Sequence, residues 1–261
     1  MDYEFPEKTP KPIKEILNET LSHVHSFLKE NLIGIYLCGS LAMGGYNPKS
    51  SDIDLILVVN KTLAKEQRKK IIDYLKKVSS KDNRIELSIV TEEAVQNPRY
   101  PIMVDLDFGF WGEALENKKE KEILSNLYTA RRRGFCIWGK PMSRVFSRIP
   151  AQYHLRSVIE DLESRRKYLR ENADQVGYDV VVFWVLGSCR ILAFIREDIV
   201  LSKLEGGRWG LANLPEEYHS VIKQAILRYQ GKKRTQIWNY EKLEAFADYM
   251  TKTIHKEWNV N

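Results

Sequence analysis

Cysteine and histidine are scarce in this chain, and it contains no long uninterrupted apolar run. The three cysteines, Cys38, Cys136 and Cys189, all lie in apolar segments. We therefore expect reduced core residues of a cytoplasmic protein, and neither a disulfide framework nor a cysteine metal cluster. The five histidines are scattered and do not have the spacing of a zinc site. The most apolar window, residues 180–195, is shorter than the roughly 20 residues that a membrane span needs.

Size and charge narrow the functional class. The 261 residues, 43% of them apolar, suit two compact units that can each bury a core. The formal net charge of +6 mildly favours polyanionic partners. The lysine runs lie near glutamates and no basic stripe with interleaved aromatic residues accompanies them. We therefore expect no nucleic-acid partner and a monomeric protein.

The segment from Gly39 to Leu55 is the most informative in the chain. It reads as the end of an apolar strand, residues 34–38, then a tight Gly39-Ser40 turn that opens a short helix, and then a second apolar strand, residues 53–59. Glycine allows the backbone to approach a ligand closely, and amides at the start of a helix favour anions. Gly39 and Ser40 are therefore candidate phosphate-binding residues.

Acidic residues stand at the mouth of the second strand. Asp52 and Asp54 are two positions apart, so their side chains leave the same face of that strand. Like charges held this close favour a cation between them, and carboxylate oxygens suit Mg²⁺. Glu86 lies on the polar face of the next strand, residues 84–90. It is a third acid for the same site and a candidate catalytic base.

The pattern of the chain changes near residue 150. Before it, helices are predicted at 9–31, 63–78 and 120–133 and strands at 34–38, 53–59, 84–90 and 135–138. After it, helices are predicted at 153–172, 180–196, 214–229 and 239–257, with Gly206-Gly207 in a loop. We therefore predict an α+β protein: a domain of residues 1–149 with a mixed sheet and helices, and a helical domain of residues 150–261.

The Gly-Ser turn followed by the Asp-x-Asp strand resembles the nucleotidyltransferase superfamily that shares the polymerase β core. More specifically, the chain resembles the aminoglycoside adenylyltransferases of the streptomycin/spectinomycin type. This resemblance covers most of the chain. It rests on residues 36–40, 51–55, 86–90, 99–101 and 108–111, on Ser188-Cys189-Arg190 with Ser202-Lys203, and on Trp209, Leu214-Pro215 and Tyr229.

The resemblance implies a polymerase β-like nucleotidyltransferase domain and a helical bundle that bind ATP, two Mg²⁺ ions and an aminoglycoside or aminocyclitol between them. It implies metal ligation by Asp52, Asp54 and Glu86, with Glu86 as the base. It also implies ATP contacts from residues of both domains, which are Gly39, Ser40, Ser51, Asp52, Asp54, Arg190, Lys203 and Tyr229. For Arg190, an internal salt bridge with Asp179 or Glu160 is an alternative role.

The acceptor site is expected to combine an aromatic residue with acids. The resemblance places Glu86, Trp111 and Asp179 there, although Trp111 could equally belong to an aromatic core. Members that accept streptomycin carry a further tryptophan before the Arg190 helix, and residues 172–179 contain none. The resemblance therefore favours spectinomycin over streptomycin. A protein or RNA acceptor, and a non-catalytic nucleotide-binding module, remain alternatives.

Overall fold

A computed structural model describes residues 3–48, 51–79, 84–109, 112–171, 178–232 and 238–259, with side chains at 178 and 179 excepted. The coordinates divide into two compact units, Met1–Ser157 and Val158–Asn261. We call them the N-terminal and C-terminal units. No helix in the described ranges combines the length and apolar character needed to cross a membrane.

The N-terminal unit contains a six-stranded sheet with the order β5-β4-β3-β2-β1-β6. The strands are Leu32–Leu37 (β1), Ile53–Val59 (β2), Ile85–Thr91 (β3), Ile102–Phe108 (β4), Ala114–Glu120 (β5) and Phe135–Gly139 (β6). Only β2 and β3 pair in parallel, and the other neighbours are antiparallel. The predicted mixed sheet is therefore confirmed.

Helices accompany this sheet. They are Lys11–Leu28 (α1), Gly39–Ala42 (α2), Lys65–Val78 (α3), Glu92–Gln96 (α4), Glu122–Arg133 (α5) and Met142–Val145 (α6), and α7, Ala151–Glu171, runs across the division between the units. The apolar positions of α1 and α3 pack with alternate residues of β2, such as Ile53 and Leu55, in one core cluster. Side chains alternate along a strand, so this packing leaves Asp54 on the opposite face.

Strands β4 and β5 are missing from the sequence prediction. In β4, the apolar residues Ile102, Val104, Leu106 and Phe108 alternate with Met103, Asp105 and Asp107, which is a period-two strand signal that the prediction overlooked beside Pro101. Strand β5 is the edge of the sheet, and its Glu-Asn-Lys-Lys-Glu run is mostly exposed. Charged residues at an edge discourage pairing with another chain, and they also hide the strand signal. The predicted helix 120–133 begins later, at Glu122.

The C-terminal unit is helical, and no strand occurs among its described residues. Besides the end of α7 it contains Tyr178–Glu197 (α8), Lys203–Asn213 (α9), His219–Tyr229 (α10) and Tyr240–Trp258 (α11). The indole nitrogen of Trp184 in α8 donates to the carbonyl oxygen of Leu162 in α7 at 3.0 Å. The guanidinium of Arg166 in α7 binds the carboxylates of Glu244 and Asp248 in α11.

The prediction of a loop at Gly206-Gly207 is wrong, because both residues lie inside α9. A side chain at Gly207 would come within 2.7 Å of Ile226 and 2.9 Å of Leu186, so the glycine allows α9 to pack closely against α8 and α10. The helix starts at a capping box. Ser202 accepts a hydrogen bond from the amide of Glu205 at 3.3 Å, and the Glu205 carboxylate accepts one from the amide of Ser202 at 2.7 Å.

The predicted helix 214–229 is shorter than expected. Leu214 ends α9, Pro215 precedes a short 3-10 turn at Glu216–Tyr218, and α10 starts only at His219. Proline fixes φ and removes an amide donor, so a helix running back through this position would lose a hydrogen bond.

Candidate active site

The turn after β1 requires glycine at position 39. Gly39 has φ +64°, in the left-handed region that favours glycine. A Cβ at this position would also overlap the Oδ2 atom of Asp54. The adjacent amide of Cys38 donates to the carbonyl oxygen of Asp54 at 3.0 Å, which fixes the turn against the start of β2. The backbone of the turn and the Asp54 carboxylate are therefore in direct contact.

The parallel register of β2 and β3 brings the acids together. Asp54 pairs with Glu86, between the Ile53–Ile85 and Leu55–Leu87 pairs. Paired residues in neighbouring strands project from the same face of a sheet. The structure therefore places Glu86 beside Asp54, as the sequence predicted.

The same two acids act on the Cys38 thiol. It is fully buried, and burial is the main cause that raises its pKa well above the ordinary value. The carboxylates of Asp54 and Glu86 raise the pKa further. Both acids therefore lie close enough to one thiol to disfavour its thiolate, and this cysteine is not an activated nucleophile.

Asp52 has a different neighbour. Its Oδ1 atom lies 3.7 Å from the Nη1 atom of Arg84, and both side chains are roughly a quarter exposed, at 28% and 27%. Tyr46 is close to both. Burial raises the pKa of its hydroxyl, Asp52 raises it further and Arg84 lowers it. Sequence reasoning missed Arg84, although its position two residues before Glu86 puts it on the same strand face.

The two serines of the predicted phosphate site have separate positions. Ser40 lies in the first turn of α2, and its carbonyl oxygen accepts from the amide of Gly45 at 2.9 Å. Ser51 is buried, and its hydroxyl accepts from the amide of Asn47 at 3.0 Å. The amide of Ser51 donates to the carbonyl oxygen of Asn47 at 2.8 Å. Ser51 thus closes the loop that leads into Asp52.

A polar row continues along the same face of the sheet. The hydroxyl of Ser88, two residues after Glu86, donates to the Oδ1 atom of Asp107 in β4 at 2.6 Å. Burial raises the pKa of the Asp107 carboxyl, the Ser88 hydrogen bond lowers it and Glu113 raises it. Asp107 is absent from the predicted site residues because strand β4 was not predicted.

In the C-terminal unit, two of the predicted ATP residues come together. The Lys203 ammonium lies 3.8 Å from the ring centroid of Phe183 and 5.8 Å from that of Tyr229. The Nε atom of Arg190 donates to the carbonyl oxygen of Leu201 at 2.7 Å, next to the start of α9. Phe183 was missed. It lies seven residues before Arg190 in α8, hence on the same side of that helix.

Two predicted acceptor residues cannot be placed. Trp111, the segment 172–177 and the side chain of Asp179 lie outside the described residues. Within the described ranges, no three acidic, histidine or cysteine side chains converge closely enough to hold a metal ion. Asp54 and Glu86 are neighbours in the register of β2 and β3, whereas Asp52 forms an ion pair with Arg84.

Two family models match different parts of the chain. The family model of the nucleotidyltransferase domain matches residues 14–107, and that of the aminoglycoside adenylyltransferase C-terminal domain matches residues 144–253. The spectinomycin 9-adenylyltransferase of Staphylococcus aureus is 23% identical over 256 residues, which span 92% of this chain and 95% of the relative. The aminoglycoside (3'') (9) adenylyltransferase of Klebsiella pneumoniae is 25% identical over 260 residues, with 92% and 94% covered.

A solved structure has the same fold. The spectinomycin adenyltransferase AAD(9) of Enterococcus faecalis, determined with ATP and spectinomycin, superposes with a TM-score of 0.78. It is 21% identical, and the match covers 93% of this chain and 99% of that one. Both halves of the chain thus match the same kind of enzyme. This protein is a nucleotidyltransferase that belongs to the aminoglycoside adenylyltransferase family.

Proposed function

We propose that this enzyme transfers AMP from ATP to a hydroxyl of an aminocyclitol antibiotic, with spectinomycin preferred to streptomycin. The observation that carries the proposal is the pairing of Asp54 with Glu86 beside the Gly39 turn. Relatives named as spectinomycin 9-adenylyltransferases support the choice of acceptor.

The chemistry follows from this arrangement. The acceptor oxygen forms a bond to the α-phosphorus of ATP, the bond from that phosphorus to the bridging oxygen breaks, and pyrophosphate leaves. The hydroxyl proton passes to the Glu86 carboxylate, which acts as general base. Mg²⁺, when bound, neutralises charge on the phosphate oxygens. Asp52, Asp54 and Glu86 would hold this ion through carboxylate oxygens, the hard ligands that suit it.

The remaining site residues have binding roles in this proposal. Gly39, Ser40 and Ser51 contact phosphates through the backbone and hydroxyl groups of the turn. Arg190 and Lys203 supply positive charge to the triphosphate, with Tyr229 beside Lys203. Trp111 and Asp179 bind the cationic acceptor, where an aromatic face and a carboxylate both favour a positive group.

The preference for spectinomycin over streptomycin also rests on the resemblance to the family, in which members that accept streptomycin carry a tryptophan before the Arg190 helix. Residues 172–179 contain no tryptophan. A missing aromatic platform removes roughly 0.5–2 kcal/mol of cation–π energy, about a tenfold weakening of affinity for streptomycin.

The test is AMP transfer by the purified protein from radiolabelled ATP to each drug, compared with Asp54→Asn and Glu86→Gln, in which we expect transfer to be strongly reduced. We expect adenylylated spectinomycin, identified by mass, and about tenfold less streptomycin product. Equal or greater transfer to streptomycin would overturn the ranking. Labelling of RNA or of a protein lysate, with neither drug modified, would replace the proposed acceptor.

A further inference from the structure

We propose that Arg84 is a positioning residue that holds Asp52 in the nucleotide-free protein and competes with the divalent metal for this carboxylate. The inference rests on the metal-binding role assigned to Asp52 in the proposed function. Arg84 thereby lowers the metal affinity of the site, an effect that the acidic residues alone do not have.

The sheet register places the two side chains next to each other. The amide of Ile53 donates to the carbonyl oxygen of Arg84 at 2.7 Å, and Ile53 pairs with Ile85 one position further along. Arg84 therefore lies beside Asp52 in the same way that Glu86 lies beside Asp54. Because the strand backbones are hydrogen-bonded, a change of partner at Asp52 needs only side-chain rotation.

The contact between Arg84 and Asp52 is an ion pair without a hydrogen bond, so Asp52 can exchange this partner for another. The distance of 3.7 Å between Arg84 Nη1 and Asp52 Oδ1 is that of an ion pair and is longer than a hydrogen bond. Among the described residues, Asp52 does not close with Asp54 and Glu86 into a three-ligand group. To ligate a metal shared with those acids, Asp52 has to turn away from Arg84.

Charge gives the direction of the effect. Among the described residues, this corner of the sheet holds the carboxylates of Asp52, Asp54 and Glu86 together with the Arg84 guanidinium, so Arg84 offsets part of the repulsion among these acids before any metal is bound. In general, charges of +2 and +1 separated by about 6 Å repel each other, at the permittivity of water, by an energy that corresponds to about a tenfold difference in affinity, so a guanidinium close to the metal ligands opposes metal binding. Arg84 thus stabilises the metal-free corner and weakens metal binding in the absence of nucleotide.

Mn²⁺ titration of the nucleotide-free protein, followed by electron paramagnetic resonance, tests the inference. We expect Arg84→Gln to bind Mn²⁺ about tenfold more tightly than the wild type, and Arg84→Lys to stay within about threefold because it keeps the charge. A thermal unfolding series should show a lower midpoint for Arg84→Gln without metal and a larger upward shift on addition of Mn²⁺.

The control is Lys140→Gln. This variant breaks another ion pair of the same unit, in which Lys140 Nζ lies 3.2 Å from Glu92 Oε1. Glu92 begins α4 and follows the end of β3, whereas Arg84 directly precedes the beginning of β3. This variant should bind Mn²⁺ as the wild type does. Equal or weaker Mn²⁺ binding by Arg84→Gln, or no Mn²⁺ binding by any variant, would overturn the inference. Neither readout uses an acceptor, so a failure to adenylylate spectinomycin would contradict the proposed function and leave this result interpretable.

Discussion

Alanine replacements at Gly39 and at Gly44, compared with each other, distinguish backbone strain from displacement of the Asp54 carboxylate. Gly39 has φ +64° and Gly44, five residues later, has φ +72°. The left-handed region costs a residue with a side chain roughly 1–2 kcal/mol. A Cβ at Gly44 meets no atom within 4 Å, whereas a Cβ at Gly39 overlaps the carboxylate of Asp54. The two variants therefore share the backbone cost and differ in the collision.

The collision is with the end of a side chain, so Asp54 can rotate away and the fold is retained. We expect urea unfolding to show a loss of about 1–2 kcal/mol in both Gly39→Ala and Gly44→Ala. The rate of AMP transfer should fall on the order of 10²-fold or more in Gly39→Ala, because a displacement of about 1 Å at a reacting centre has that effect. Gly44→Ala should stay within a few-fold of the wild type. Similar transfer rates in the two variants would refute the role given to the Gly39 turn.

Three further predictions follow from the described contacts. Glu86→Gln should bind ATP normally and transfer AMP about 10²–10⁴-fold more slowly in a single-turnover assay, and a loss below tenfold would make Glu86 a bystander. Arg68 and Asp105 form a buried ion pair at 2.8 Å. Arg68→Ala should therefore lower the free energy of unfolding by about 3–5 kcal/mol, because it leaves the Asp105 carboxylate buried without its partner. Arg165→Ala, which breaks the more exposed pair with Asp161, should cost less than about 1 kcal/mol, and urea unfolding measures both. Burial lowers the pKa of His25, so protonation of this histidine favours the unfolded state. Its contribution to stability should be full above about pH 6.5 and decline below it. In thermal melts between about pH 7 and 5, His25→Leu should therefore lose less stability than the wild type.

Side-chain alternation made the first half of the site predictable. The positions of Asp52, Asp54 and Glu86 on one face follow from a period of two, and the structure pairs Asp54 with Glu86. The same rule would have placed Arg84 on that face. Three acids on one face favour a balancing cation nearby, and this requirement was the signal that could have indicated Arg84.

Other parts of the fold had local signals that the prediction did not use. Strand β4 alternates apolar residues with Asp105 and Asp107, and only the partners of these acids, the Arg68 guanidinium of α3 and a hydroxyl in β3, are not visible from the strand itself. Helix α9 contains adjacent glycines, which usually break helices, and only the close approach of α8 and α10 explains them. The Ser202-x-x-Glu205 capping box was the available signal for this helix.

The site and the core depend on the same register. Ile53 and Leu55 are buried because they face α1 and α3, and this orientation is what puts Asp54 on the opposite face. A slip of β2 by one residue would bury Asp54 in the core and turn Ile53 toward the site. Burial of an unpaired carboxylate costs several kcal/mol, so packing excludes the slipped state. The hydrophobic core therefore fixes the pairing of Asp54 with Glu86 before any nucleotide or metal is bound.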